Sequence, residues 1–152
     1  MTEDWTVDAK WRGVDLARAY LTGNRVRVAA CLEGLDTERL ECVLALLAFS
    51  YDDLLGDLGP FMKVSDLDKV AAVAPLETEL ATMTAVHRIA ANEVGFAEAM
   101  TDLGLVDRIH ALAICSVVML LGAFGHAGAV AHLDKVAATC ERMGYTRPYT
   151  LT

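Results

Sequence analysis

The stretch Ile109–Phe124, IHALAICSVVMLLGAF, carries no formally charged side chain. A helix that is apolar on every face belongs in the middle of a protein or in the middle of a membrane. From Ala111 to Ala131 only His126 can charge near neutral pH, and the length comes close to spanning a bilayer. Choosing between the two environments settles the architecture.

On either side of this stretch the hydrophobic periodicity is helical almost everywhere, and no strand-like alternation is bounded by turns. The expected fold is all-α, a helical bundle or array of about eight helices. The first helix is expected from Thr6 to Leu21. Lys10, Arg12 and Asp15 interrupt its apolar surface, which reads as an amphipathic outer helix. Gly23-Asn24 is a stop and restart, with Asn24 capping a short second helix to Glu33. Asp36 or Thr37 caps a third helix, which runs to about Leu55 along the stripe Leu40, Val43, Leu44, Leu47, Tyr51, Leu54 and Leu55. Gly59-Pro60 marks a loop. Ser65 and Asp68 resemble a capping box opening a fourth helix to about Val73. Pro75 opens a fifth helix to about Ala91. Asn92 caps a short sixth, from Glu93 to Asp102. The seventh, Val106–Phe124, stops at Gly125, and the eighth runs from Ala127 to Met143.

The chain contains an internal repeat. Leu67–Ala72 and Leu133–Ala138 both read LDKVAA, 66 residues apart, with Val64 and Val130 in matching places before them. Upstream the offset is 68, pairing Ala17 with Ala85, Asn24 with Asn92, Ala29 with Ala97 and Leu44 with Leu112. The two offsets differ by a two-residue change in the loop after the third helix, where such changes are tolerated. A tandem duplication of a four-helix unit is therefore expected within a single domain, residues 1–152. Its units are about 6–74 and 75–143, each ordered long, short, long, short-to-medium. The offset of 68 is twice the tetratricopeptide period, but a slide of 34 produces no further matches and the second helix is too short for that motif. The repeat also places the opening stretch. Its counterpart in the first unit, Arg39–Leu55, carries Arg39, Glu41, Asp52 and Asp53 and does not suit a membrane. The segment at about 106–124 is thus expected to be the buried central helix. Arg39–Leu55 becomes its more exposed sibling, and a cover is required from the first unit or from another subunit.

The 152 residues suit one domain with a sizeable core, and 55% of them are hydrophobic, which excludes long disordered tails, the termini Met1–Asp4 and Arg147–Thr152 excepted. The net charge of -8 argues against nucleic acid as a partner, since such binding depends on neutralising phosphates. From Glu33 to Asp68 nine acidic residues face only Arg39 and Lys63. The N-terminal MTEDWTVDAKW has neither the basic nor the apolar region of a secretory signal, so a cytoplasmic location is expected. Arg outnumbers Lys nine to four, a composition that suits a GC-rich bacterial genome. Of the four cysteines, Cys31, Cys42 and Cys115 sit in apolar runs, and Cys140 is expected to be more exposed.

No catalytic or ligand signature is present: no HExxH, no ExxH pair, no GxSxG, no Walker loop and no GxGxxG. No metal or cofactor is expected. Gly122, Gly125 and Gly128 recur every three residues at a helix junction, which reads as close packing. The expected function is a non-enzymatic interaction or scaffold protein, acting as a homo-oligomer through protein contacts. One alternative is a small-molecule binder or small enzyme with an apolar pocket between the repeats, for which His87 and His110 are the polar candidates. Another is an acidic inhibitor of a basic protein. It requires Glu33, Asp36, Glu41, Asp52, Asp53 and Asp57 to share one surface.

Overall fold

Every residue from 109 to 120 is buried, a run of more than three helical turns with no solvent-facing side. The computed structural model of the chain describes residues 3–59, 62–91 and 95–151. They contain seven helices in the order α1 (Glu3–Leu21), α2 (Arg25–Ala30), α3 (Thr37–Leu58), α4 (Val64–Ala71), α5 (Leu76–Ala90), α6 (Phe96–Met100) and α7 (Leu105–Arg142), and no strand. The seventh and eighth helices expected from the sequence run on as the single span α7. Gly125 interrupts it with φ 71° and ψ 178°, a backbone region open essentially to glycine alone.

The cover for the central arm, 105–124, comes from within the chain: α1, α3, α4 and α5 all pack against α7. The two strongly polar side chains within the buried run 109–120 are paired. Ser116 Oγ donates to the Leu112 carbonyl at 2.8 Å, and His110 Nδ1 shares a 2.7 Å hydrogen bond with the Tyr20 hydroxyl. Pairing is what makes burial of such groups affordable. Among the described helices α7 alone is long and apolar enough to cross a membrane, by length and composition.

The second arm, 126–142, returns antiparallel to α1. His126 lies at the Leu21 carbonyl (3.3 Å), Arg18 pairs with Asp134 (3.1 Å), and Cys140 and Ala137 pack with Trp11 and Val14. The tail continues in the same direction, and Trp11 Nε1 donates to the Tyr145 carbonyl at 2.9 Å. Likewise α4 packs on α5, joined by Asp68 and His87 at 2.7 Å.

This arrangement overturns the expectation of an outer first helix. From residue 8 to 21 only Lys10 is exposed and only Arg12 and Arg18 are half-buried. The apolar periodicity of α1 is broken by charges, but those charges have partners inside the fold. Arg12 Nε lies 3.4 Å from Asp8, and Asp15 is paired with Arg147 at 3.0 Å. Cys140 is likewise buried rather than exposed, because the second arm turns that face onto Trp11.

The expected caps divide by whether a competing partner exists. Asn24 and Asp36 accept from Arg27 N (3.0 Å) and Arg39 N (2.9 Å), as their side-chain oxygens allow. Ser65 and Asp68 form no capping box: α4 starts at Val64, its N-cap Lys63 makes no side-chain bond, and Asp68 turns to His87 instead. The third helix runs three residues further than expected, to Leu58. The proposed cap at Asn92 lies outside the described residues.

Candidate functional site

An open groove lies between α3, α6 and α7. Leu44 and Ala48 on α3, and Arg108 and Leu112 on α7, are pairs four residues apart, so each helix presents one face to it. Ala97, Met100 and Thr101 close the third side. The space is about 420 Å³, within the range of small-ligand sites. Its lining is apolar except for Thr101 and Arg108.

Arg108 is half-buried, and its Nε donates to the carbonyls of Met100 (3.1 Å) and Leu103 (2.9 Å). The Met100 carbonyl accepts from Leu103 N as well, and the two bonds from Arg108 hold its guanidinium at the groove. No carboxylate among the described residues forms an ion pair with Arg108. A positioned guanidinium beside apolar walls is suited to a carboxylate, which it can bind through two parallel hydrogen bonds. No nucleophile lies beside a base in this lining, and no group of three His, Cys, Asp or Glu among the described residues could hold a metal ion.

The sequence-derived candidates lie elsewhere. His110 is 2% exposed and belongs to the core, where burial pushes its pKa down to about 4. The neutral imidazole is thereby locked against Tyr20, whose phenol burial pushes upward. His87 sits on the surface and bridges α5 to α4 through Asp68. Neither histidine lines the groove. The six acidic candidates, Glu33, Asp36, Glu41, Asp52, Asp53 and Asp57, are all exposed. At about 100° per residue, Asp52 lies almost above Glu41 on α3, whereas Asp53 and Asp57 lie roughly 120–160° further round. Glu33 and Asp36 stand in the turn before α3, at its opposite end from Asp57. The six therefore spread around and along the helix instead of forming one face.

A second polar cluster joins α1 to the residues that follow α7. Asp15, 5% exposed, accepts from Arg147 Nε and Nη2 at 3.0 Å each and from the Tyr149 hydroxyl. The Arg147 guanidinium lies over the Trp11 ring (4.3 Å), and that of Arg12 over Tyr149 (3.7 Å). Arg12 Nη1 also donates to the Cys31 carbonyl at 2.9 Å. Burial pushes the Cys31 thiol up to about 12, so it is no nucleophile at neutral pH. These charges are directed at one another, and together they fasten the tail to α1.

Sequence reasoning passed over Arg108. Its signal was present: it is the last charged residue before the uncharged run that begins at Ile109, at the boundary where a cation meets the apolar interior. Comparison with known proteins adds no assignment, as no family profile, curated protein or solved structure matches the chain.

Proposed function

We propose that this chain is a non-enzymatic, cytoplasmic binding protein whose α3–α6–α7 groove takes an apolar molecule with an anionic end, such as a long-chain carboxylate. The observation that carries this reading is Arg108, the single charged side chain in an apolar groove, held by two carbonyls and facing no acidic partner among the described residues. The wall residues bury the hydrocarbon, and the guanidinium receives the carboxylate.

The groove lies where the two duplicated units of this reading would meet. Several features support the duplication. Leu44 and Leu112, matched at the offset of 68, both line the groove. In the two LDKVAA copies Leu67 and Leu133 are buried, as are Ala71 and Ala137, while Asp68 and Asp134 are exposed and each reaches the other unit's first helix. At the same offset Arg108 corresponds to Leu40, so the charge belongs to one unit alone.

Titration with dodecanoate, followed by the methyl NMR signals of Leu44, Met100 and Leu112, tests the reading. Saturable shifts at those methyls are expected. Arg108→Gln should weaken dodecanoate about tenfold or more, the loss of a charge-assisted pair, and should leave the weaker binding of dodecanol unchanged. Equal binding of acid and alcohol, or shifts spread over the surface, would refute it.

A second reading, docking of a basic protein, is favoured by Phe49. It is 68% exposed on the outer face of α3 beside Asp52 and Asp53. An exposed aromatic among acids suits a basic segment with an apolar anchor. Phe49→Asp is then expected to abolish recovery of a basic partner from the native cell while dodecanoate binding stays intact.

A further inference from the structure

We infer that the C-terminal arm, residues 126–151, can be exchanged with that of a second copy of this chain, giving an arm-exchanged dimer hinged at Gly125. The connections in the two halves differ in a way that points to the hinge. Between α3 and α4 the chain has a five-residue link, 59–63, whereas between the two arms of α7 helix stops at Gly125 alone. The change of offset from 68 to 66 points the same way, to a shorter connection in the second half.

The short turn is tight. Gly125 holds φ 71° and ψ 178°. A Cβ on Gly128 would lie 2.6 Å from Cβ of Phe124, a distance that real side chains do not tolerate. Both glycines are needed for the reversal. A side chain at 125 would strain the closed turn, and short hinges under strain favour exchange. Here opening also lets Leu105–Arg142 become one uninterrupted helix. Residues 122–127 are all exposed, so straightening the hinge uncovers no core at that point.

The arm's partners are what a second copy would supply. Arg18–Asp134, Trp11–Tyr145, Asp15–Arg147 and His126–Leu21 all join the arm or tail to α1. None depends on which chain provides α1. The exchanged dimer therefore keeps these interactions, at the entropic cost of association, and a residue with a Cβ at 125 would escape in it a backbone conformation closed to it.

The test is light scattering on wild-type protein refolded from urea at millimolar concentration, beside Gly125→Ala and a variant with two residues inserted after Gly125. Wild type is expected to yield a dimer fraction, Gly125→Ala a predominant dimer, and the lengthened variant monomer only. Mixed refolding of light and heavy isotope-labelled chains locates the arm. A lysine-reactive cross-link between Lys10 and Lys135 should join heavy to light chains in the dimer. Cross-links confined to chains of one mass would show a side-by-side dimer and overturn the inference. Monomers throughout, with Gly125→Ala folded, would also overturn it. If Gly125→Ala fails to fold, the wild-type and lengthened proteins decide the matter between them.

Discussion

Arg147→Ala is expected to destabilise the protein by about 3 kcal/mol, the low end of the cost of leaving one member of a buried ion pair alone. The low end applies because Arg147 is itself 37% exposed, while the side chain of Asp15 is only 6% exposed. Removing the guanidinium takes two hydrogen bonds from a carboxylate that water reaches poorly, and it uncovers the Trp11 ring. Tyr149→Phe removes a single bond to the same carboxylate and should cost about 1 kcal/mol. Arg147→Lys keeps the charge without the two-pronged geometry and should fall between the two. Arg18→Ala is the contrast. Its pair with Asp134 is 37% and 64% exposed, so the loss should stay within about 1 kcal/mol. Urea titrations followed by tryptophan fluorescence measure all four, with Trp11 reporting on the cluster directly. An Arg147→Ala protein within 1 kcal/mol of wild type would show that the tail is not fastened through Asp15.

The second large effect is on stability against pH. Burial lowers the pKa of His110 from 6.5 to about 4, because a charged imidazole would lose its hydration among apolar neighbours. The unfolded chain therefore takes up the proton at a higher pH than the folded one, and stability must fall as the solution becomes acidic. The contribution is complete above about pH 6.5, declines between there and about pH 4, and is flat below. The loss from this residue amounts to about 2 kcal/mol at pH 5 and about 3 kcal/mol once both states are protonated. Urea midpoints at pH 7, 6 and 5 follow it before most carboxylates titrate. His110→Asn, whatever it costs at pH 7, should flatten this interval, since no proton is then taken up at residue 110. An unchanged slope in the variant would place the acid sensitivity in other groups.

Much of the secondary structure was legible because its causes are local. Asn24 and Asp36 cap because an amide or carboxylate oxygen reaches a backbone N–H three residues on. Gly125 stops the central arm because the next turn needs a backbone conformation closed to other residues. Twelve consecutive apolar or internally bonded positions from 109 to 120 announce a helix covered on all sides, and the comparison with Arg39–Leu55 pointed to a protein interior.

What escaped the sequence depends on partners far along the chain. Asp15 reads as a surface charge until Arg147, 132 residues away, is seen beside it. Asp68 reads as a helix cap until His87 is placed within 2.7 Å. His110 reads as a site candidate until Tyr20 and the surrounding apolar side chains enclose it. Arg108 gains its meaning only when α6 ends against it and α3 supplies the opposite wall. By itself the sequence determined that the protein is helical, that the stretch beginning at Ile109 lies at its centre, and where the chain must turn. These follow from side-chain periodicity and backbone preference, which act over a few residues. Only the tertiary structure decided which charges are buried and which groove is left open. Those depend on which surfaces the packing of helices brings together, and no local pattern encodes the answer.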